Sequence, residues 1–254
     1  MWPVLVIASN TFRENLRDKI LYNLLLFAAL LMGASMFLAD LTIMEHYKIM
    51  TDMGLAAINL VGVVIAVFVG IGLVSREIER RTIYTIVARP ISRAQFVVGK
   101  YLGLVTTLAV NVLVMLSVFL VTLWGYQAPV QWTLVQAVQL IVVELMLITA
   151  IALFFSTFSS ATLSAIFTLG LYIIGHLTTD LRGLAQKSHS EAVKAVANAV
   201  YYLCPNLDML NMKGQAAMGI AIPLTYQALA TAYGLLYAGM LIVGACLIFQ
   251  RRDF

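Results

Sequence analysis

Charge is scarce in this sequence: Asp, Glu, Lys and Arg make up 11% of 254 residues, while 62% are apolar. A soluble domain carries about 25% charged residues, so too little polar surface is present to coat a water-soluble globule. That excludes a soluble enzyme and a disordered chain, and the mean hydropathy of +0.94 points to an integral membrane protein. Cysteine is almost absent. Cys204 and Cys246 cannot make a disulfide framework, and Cys246 lies inside an apolar run. The three histidines are scattered, and neither they nor the cysteines have ligand spacing on one helix, so no metal site is expected. Alternation with period two is missing, which argues against a β-barrel. Catalytic signatures are missing as well: there is no G-x-S-x-G and no H-E-x-x-H. Gly99-Lys100 looks like the end of a phosphate loop, but Tyr101 replaces the required Ser or Thr and Ala94 the first Gly. No catalytic residue and no bound cofactor are expected on this chain. Val4–Ala8 is too short for the apolar core of a cleaved signal, so the first span should act as an uncleaved anchor.

What the sequence has in quantity is long apolar runs. Six stand out: Ile20–Leu38, Ala56–Val74, Tyr101–Trp124, Leu134–Phe155, Ala161–Leu177 and Ala228–Phe249. At about 1.5 Å per residue each can cross a hydrocarbon core about 30 Å thick. The fourth and fifth are separated only by Ser156–Ser160 and form a tight hairpin. Basic residues orient the bundle. With the N-terminus in the cytoplasm, Arg13, Arg17, Lys19, Arg76, Arg80, Arg81, Arg89, Arg93, Lys100, Arg251 and Arg252 lie inside, eleven of the sixteen Lys and Arg. Lys48, Arg182, Lys187, Lys194 and Lys213 lie outside. The net charge of +4 thus reflects membrane orientation, not nucleic-acid binding.

Three other segments carry information. Residues 1–19 place Val4, Leu5, Ile7, Phe12 and Leu16 opposite a charged face, as an amphipathic helix in the cytoplasmic interface does. Residues 75–100 form a charge-rich elbow. Arg76–Arg81 prolongs span two, Thr82–Ala88 forms a short helix, and Pro90 forces a break by pushing Arg89 out of the α region. Ser92-Arg-Ala-Gln95 has capping-box spacing and starts the third span. In the outer segment, residues 178–227, Ser188-His-Ser-Glu191 is a second capping box. Val193, Val196, Val200 and Leu203 follow at helical spacing until Pro205. Gly214–Leu224 is too short to span, and reads as interfacial or re-entrant.

Glu144 is the acid inside the expected spans. A charge at the bilayer centre costs at least about 2.5 kcal/mol, so Glu144 should face a cavity, a helix contact or a partner. Two readings stay open: a polar lining or gating contact on a transport path, or a hydrogen bond gluing two helices. Gln136 and Gln139 precede it on the same helix. Asn59 and Asn111 read as interhelical contacts, and Gly62, Gly70 and Gly72 as points of close helix approach.

Several stretches together resemble one family. They are Asn10–Glu14 with Arg17–Tyr22, Arg76-Glu-Ile-Glu-Arg-Arg-Thr82, Ala88–Arg93, Val98–Tyr101, Leu203-Cys-Pro-Asn-Leu-Asp208 and Phe249–Phe254. In that order they resemble the membrane subunit of ABC-2-type ATP-binding-cassette transporters, with Arg81 where many members have Gly. The resemblance implies an all-α, six-span permease as a single domain over residues 1–254. Residues 1–19 are its interfacial helix, 20–177 spans one to five with the elbow at 75–100, 178–227 the outer segment, 228–249 span six and 250–254 the cytoplasmic tail.

It further implies a multi-pass protein of the cell membrane, in bacteria the inner membrane, that pairs with a second permease subunit as a homodimer or heterodimer. Two separate cytoplasmic ATPase subunits would carry ATP and Mg, and the cargo would be exported as an amphipathic or lipid-like substrate. Arg76, Glu77, Glu79, Arg80, Arg81, Thr82, Tyr84, Arg89, Pro90, Ser92 and Arg93 are the expected coupling residues. Interleaved charges suit a protein partner better than a uniformly anionic lipid surface, although positive-inside anchoring alone also accounts for the arginines. An ATPase-independent secondary carrier or a membrane assembly factor is the alternative. A carrier usually shows two similar halves, and this hydropathy is not symmetric.

Overall fold

Six helices long and apolar enough to cross a membrane build the molecule: Lys19–Ala39, His46–Gly72, Arg93–Gly125, Trp132–Ser156, Ala161–Gln186 and Leu224–Gln250. The computed structural model describes residues 2–40, 46–79, 92–187 and 190–251, with backbone only at 2, 40, 73–79 and 251. Among these residues the chain runs α1 (Trp2–Leu16), α2 (Lys19–Asp40), α3 (His46–Glu79), α4 (Arg93–Gly125), α5 (Trp132–Ser156), α6 (Ala161–Gln186), α7 (Glu191–Leu203), a 3-10 turn (Asp208–Leu210), α8 (Lys213–Ala217) and α9 (Leu224–Arg251), with no strand. Every expected apolar run lies inside one of the six long helices.

Burial sorts the helices into a centre and a shell. In their most apolar windows α3 and α5 are each 72% buried, whereas α2 and α6 are 22% buried, so α3 and α5 form the axis and the others wrap it. Gly62 and Gly70 face α5, where an added Cβ would meet Leu145 and Ala152. Helix α3 begins ten residues before its apolar run. Lys48 and Asp52 interrupt the hydropathy but are exposed, while Met50, Thr51 and Leu55 on the other face are buried. A one-dimensional hydropathy reading averages those faces together and loses the helix.

Helix starts follow local chemistry. Ser92 caps α4 as its capping box requires: Gln95 N donates to Ser92 Oγ at 3.2 Å, and Ser92 N to Gln95 Oε1 at 3.1 Å. The second box departs from expectation. Helix α7 starts after Ser190, which makes no side-chain cap bond, and Ser188 and His189 lie outside the described residues. Its valines do turn to one side: Val193, Val196 and Val200 face Leu181 and Leu184 of α6 across an apolar groove of about 500 Å³.

Helix α1 packs along the first turns of α4 because α4 presents Gly99 and Gly103, four residues apart on one face. An added Cβ at Gly99 would lie 2.8 Å from Ile7 Cβ, and at Gly103 2.7 Å from the Ala8 carbonyl oxygen. Polar contacts fix the pairing. Asn15 Nδ2 donates to Thr107 Oγ1 at 3.3 Å, and Lys100 Nζ sits 3.9 Å from Glu14 Oε2. Gly103→Leu should therefore destabilise the protein by about 1–3 kcal/mol, the range for overpacking, despite the gain of up to about 1 kcal/mol in helix propensity. Chemical denaturation in micelles measures the loss, and faster tryptic cleavage at Arg13 and Arg17 reports release of α1. Wild-type stability with wild-type cleavage would contradict the packing argument.

Candidate functional site

Glu144 lies halfway along α5 and is fully buried, 0% exposed. Its neighbours come from two other helices. Asn59 of α3 donates through Nδ2 to Glu144 Oε2 at 2.8 Å, and the Tyr172 hydroxyl of α6 donates to Asn59 Oδ1 at 3.2 Å. One turn after Tyr172, His176 brings Nε2 to 3.3 Å from Glu144 Oε1. Neither of those two atoms has another hydrogen-bond partner. The other ring nitrogen, Nδ1, faces the Tyr172 carbonyl oxygen at 3.0 Å.

Gln136 and Gln139 do not join this cluster. At about 100° per residue Gln139 points about 140° away from Glu144, toward α9. There Gln136 Nε2 donates to Gln227 Oε1 at 2.9 Å and to the Ile222 carbonyl at 3.1 Å. Gln139 Nε2 donates to Thr231 Oγ1 at 2.9 Å, and Gln227 Nε2 to Gln139 Oε1. This second network joins α5 to α9, with Gln139 and Gln227 each donating and accepting and Gln136 donating twice. Asn111 stands apart from both: its Nδ2 donates to the Thr107 carbonyl of its own helix at 2.8 Å, not across to a neighbour.

A returning segment closes the site from the far end of the bundle. After α7 the chain folds back between helices, and Leu207 and Leu210 are fully buried. Leu207 N donates to the carbonyl of Gly175 at 3.0 Å, and an added Cβ on Gly175 would lie 2.7 Å from the Pro205 carbonyl oxygen. Only glycine lets the two backbones approach so closely. Three tyrosines of α9 hold the same stretch. Asn206 N donates to Tyr233 Oη at 2.8 Å, Tyr237 Oη to the Leu203 carbonyl at 3.1 Å, and Tyr226 Oη to the Met209 carbonyl at 3.0 Å. Leu203–Asp208 is thus a backbone-recognition segment whose side chains Leu207 and Asn206 fill the interior.

The segment continues into α8, which packs on α3 and α5. Lys213 at the head of α8 feels the carboxylates of Glu144 and Asp52. Burial lowers the pKa of its ammonium, and those two carboxylates oppose the effect.

At the opposite end of the bundle, α4 starts beside the end of α9. Arg93 Nη1 donates to the carbonyls of Phe249 and Gln250, each at 3.3 Å, and the rings of Phe96 and Phe249 stack with centroids 6.1 Å apart. Carbonyls in a last helical turn lack partners within the helix, and a guanidinium satisfies them while opposing the negative end of the helix dipole. Of the expected coupling residues, Ser92 and Arg93 are placed by these bonds. Arg76, Glu77 and Glu79 lie on the last turn of α3, whose side chains are outside the description. Arg80, Arg81, Thr82, Tyr84, Arg89 and Pro90 lie outside the described residues.

The structure brings Glu144 and Asn59 together as a site and separates Asn111 from them. Reasoning from sequence did not find His176, Tyr172 or Lys213. A signal was available for His176: an ionisable residue inside a span, with an aromatic one turn before it on the same face.

Among the described residues, six apolar helices around a buried ionisable cluster define a multi-pass α-helical membrane protein. Residues 5–254 match the family described as ABC-2 family transporter protein, and the chain belongs to that family. Its members are membrane transport subunits, generally non-catalytic, that work with ABC ATPase subunits. No curated protein matches the chain.

Proposed function

We propose that this chain is the membrane half of an exporter, driven by two separate ATPase subunits that bind ATP and Mg, and paired with a second permease subunit. Both chain termini and the elbow between α3 and α4 face the cytoplasm, and the returning segment faces outward. Amphipathic or lipid-like molecules are the cargo class that suits an apolar bundle with a few buried polar contacts. The observation that carries the reading is the bracing of the elbow. Its downstream flank is locked by the Ser92 capping box and tied by Arg93 to the end of the last span. Its upstream flank continues helix α3 as far as Glu79. An elbow framed by two rigid helices can tilt them when pushed, which a loose loop cannot do.

Replacing Thr82–Ala88 by a Gly/Ser stretch keeps every arginine and tests the reading directly. Expected are normal insertion and abolished transport, with either lost ATPase binding or ATPase activity that no longer responds to substrate. Unimpaired transport would leave the elbow as a membrane anchor and reopen the reading of the chain as an ATPase-independent carrier.

A further inference from the structure

We propose that Glu144 and His176 together form a site for one proton in the middle of the bundle, whose occupancy sets how firmly Glu144 holds Lys213 and the returning segment. The argument begins with the imidazole. Nδ1 faces the Tyr172 carbonyl, which only accepts, so Nδ1 carries a hydrogen. A neutral ring would then present a bare lone pair from Nε2 toward Glu144 Oε1, 3.3 Å away. Two acceptors facing each other, one on a fully buried carboxylate, repel in a low-dielectric interior. One proton on the pair removes the conflict. It sits either on Nε2, giving imidazolium and carboxylate, or on Oε1, giving a carboxylic acid and a neutral ring, and both forms are neutral overall. The Asn59 amide, oriented by the Tyr172 hydroxyl, donates to Oε2 and fixes the orientation of the carboxyl group, with Oε1 toward His176.

The remaining ionisable groups around the pair give that proton a consequence. Tyr172 on α6 and Lys213 on α8 feel the Glu144 charge, Asp52 on α3 acts on Lys213, and Asp208 on the 3-10 turn acts on Tyr226 of α9 farther along the returning segment. Helix α4 contributes Tyr101, whose hydroxyl donates to the Met146 carbonyl and not to the pair. Lys213 is therefore the cation that competes with the proton for Glu144. With the proton bound, the pair is neutral and Lys213 is held weakly. Without it, the carboxylate attracts Lys213 at full charge and draws α8 against α3 and α5. The proton site stands on geometry alone. Its effect on transport rests on the function proposed above.

Two measurements on the full chain in lipid nanodiscs test the proposal without requiring transport. Nitrogen NMR of labelled histidine and infrared spectroscopy at pH 7 locate the proton. Expected is either a doubly protonated His176 ring or a carboxylic-acid band that Glu144→Gln abolishes. A neutral ring beside an ionised Glu144 would overturn the site. Hydrogen exchange of the 205–217 amides tests the consequence. Glu144→Gln should speed exchange there by about threefold or more, the scale of one interhelical polar contact in a membrane. His176→Gln removes the proton carrier, leaves the carboxylate to Lys213, and should slow exchange. If both variants speed exchange, the residues merely pack, and the coupling to Lys213 is refuted.

Discussion

Glu144→Leu is expected to cost the folded bundle about 2–5 kcal/mol, more than any other truncation in the polar site. The substitution removes the acceptor for Asn59 Nδ2 and the neighbour of His176 Nε2, stranding two buried polar groups, and also removes the carboxylate charge that Lys213 feels. Interhelical polar contacts in membranes are worth about 0.6–1.7 kcal/mol each, and leaving Asn59 Nδ2 buried without its acceptor adds about 1–3 kcal/mol to the loss of two of them. Glu144→Gln keeps an acceptor for Asn59 and should cost only about 1 kcal/mol, the net value of an ordinary hydrogen bond. Adding His176→Leu to Glu144→Leu should recover part of the loss, because an apolar pair of similar volume can match a buried ionic one once neither partner is stranded. Chemical denaturation of the four proteins in one lipid or micelle system decides the matter. A loss below about 1 kcal/mol for Glu144→Leu, with no recovery in the double variant, would make the residue incidental to the bundle.

The contrast between Glu144 and the helices shows what this sequence reveals of its own structure. Long apolar runs announce six helices because each run is itself the membrane-crossing length. Ser92 and Gln95 announce the start of α4 because both partners of a capping box lie within four residues. Contacts between distant helices leave weaker traces. Glu144 was conspicuous as an acid in an apolar run, but its neighbour His176 lies on the next helix, and their facing depends on how α5 and α6 rotate against each other. Gly175 is as uninformative alone: its role is set by Pro205 and Leu207, which come back from the far side of α7. The start of α3 was missed because a helix with one exposed face dilutes its hydropathy with Lys48 and Asp52. The α7 cap was assigned two residues early because Ser188 and Ser190 offer the same side chain, and spacing to Glu191 favoured the first. The elbow from 80 to 91, where the sequence is richest in arginine, lies outside the described residues, so the coupling role proposed for it is argued from its flanks.

Those flanks lead to the second large effect, on Arg93. Helix α9 is bound at both ends, and Arg93, Phe249 and the Leu203–Asp208 stretch in these contacts belong to the segments that resemble ABC-2 permeases. At one end Arg93 and Phe96 of α4 hold its last turn at Phe249 and Gln250. Toward the other, Tyr226 and Tyr233, with Tyr237 at mid-helix, hold the backbone of the returning segment. Phe249 follows Tyr233 by sixteen residue steps, about 24 Å of α-helix. The glutamine network ties the same helix to the central α5. A continuous helix of this kind moves as a rod, so displacement of the start of α4 should reach Asn206. Arg93→Ala removes two charge-assisted contacts and should weaken the junction by about 1.5–3 kcal/mol, whereas Arg93→Lys, lacking the planar fork, should restore only part of it. The informative readout lies at the far end. Amide exchange at Asn206, whose N–H is bonded to Tyr233, should quicken in Arg93→Ala although the mutation is remote. Tyr233→Phe should quicken the same amide while leaving Arg93 and its partners protected. If the helix carries force from the elbow, Arg93→Ala also loses transport in the complete complex while ATPase binding persists. Unchanged exchange at Asn206 in Arg93→Ala would show that the two ends of α9 are mechanically independent, and the elbow would then have to act through α3 instead.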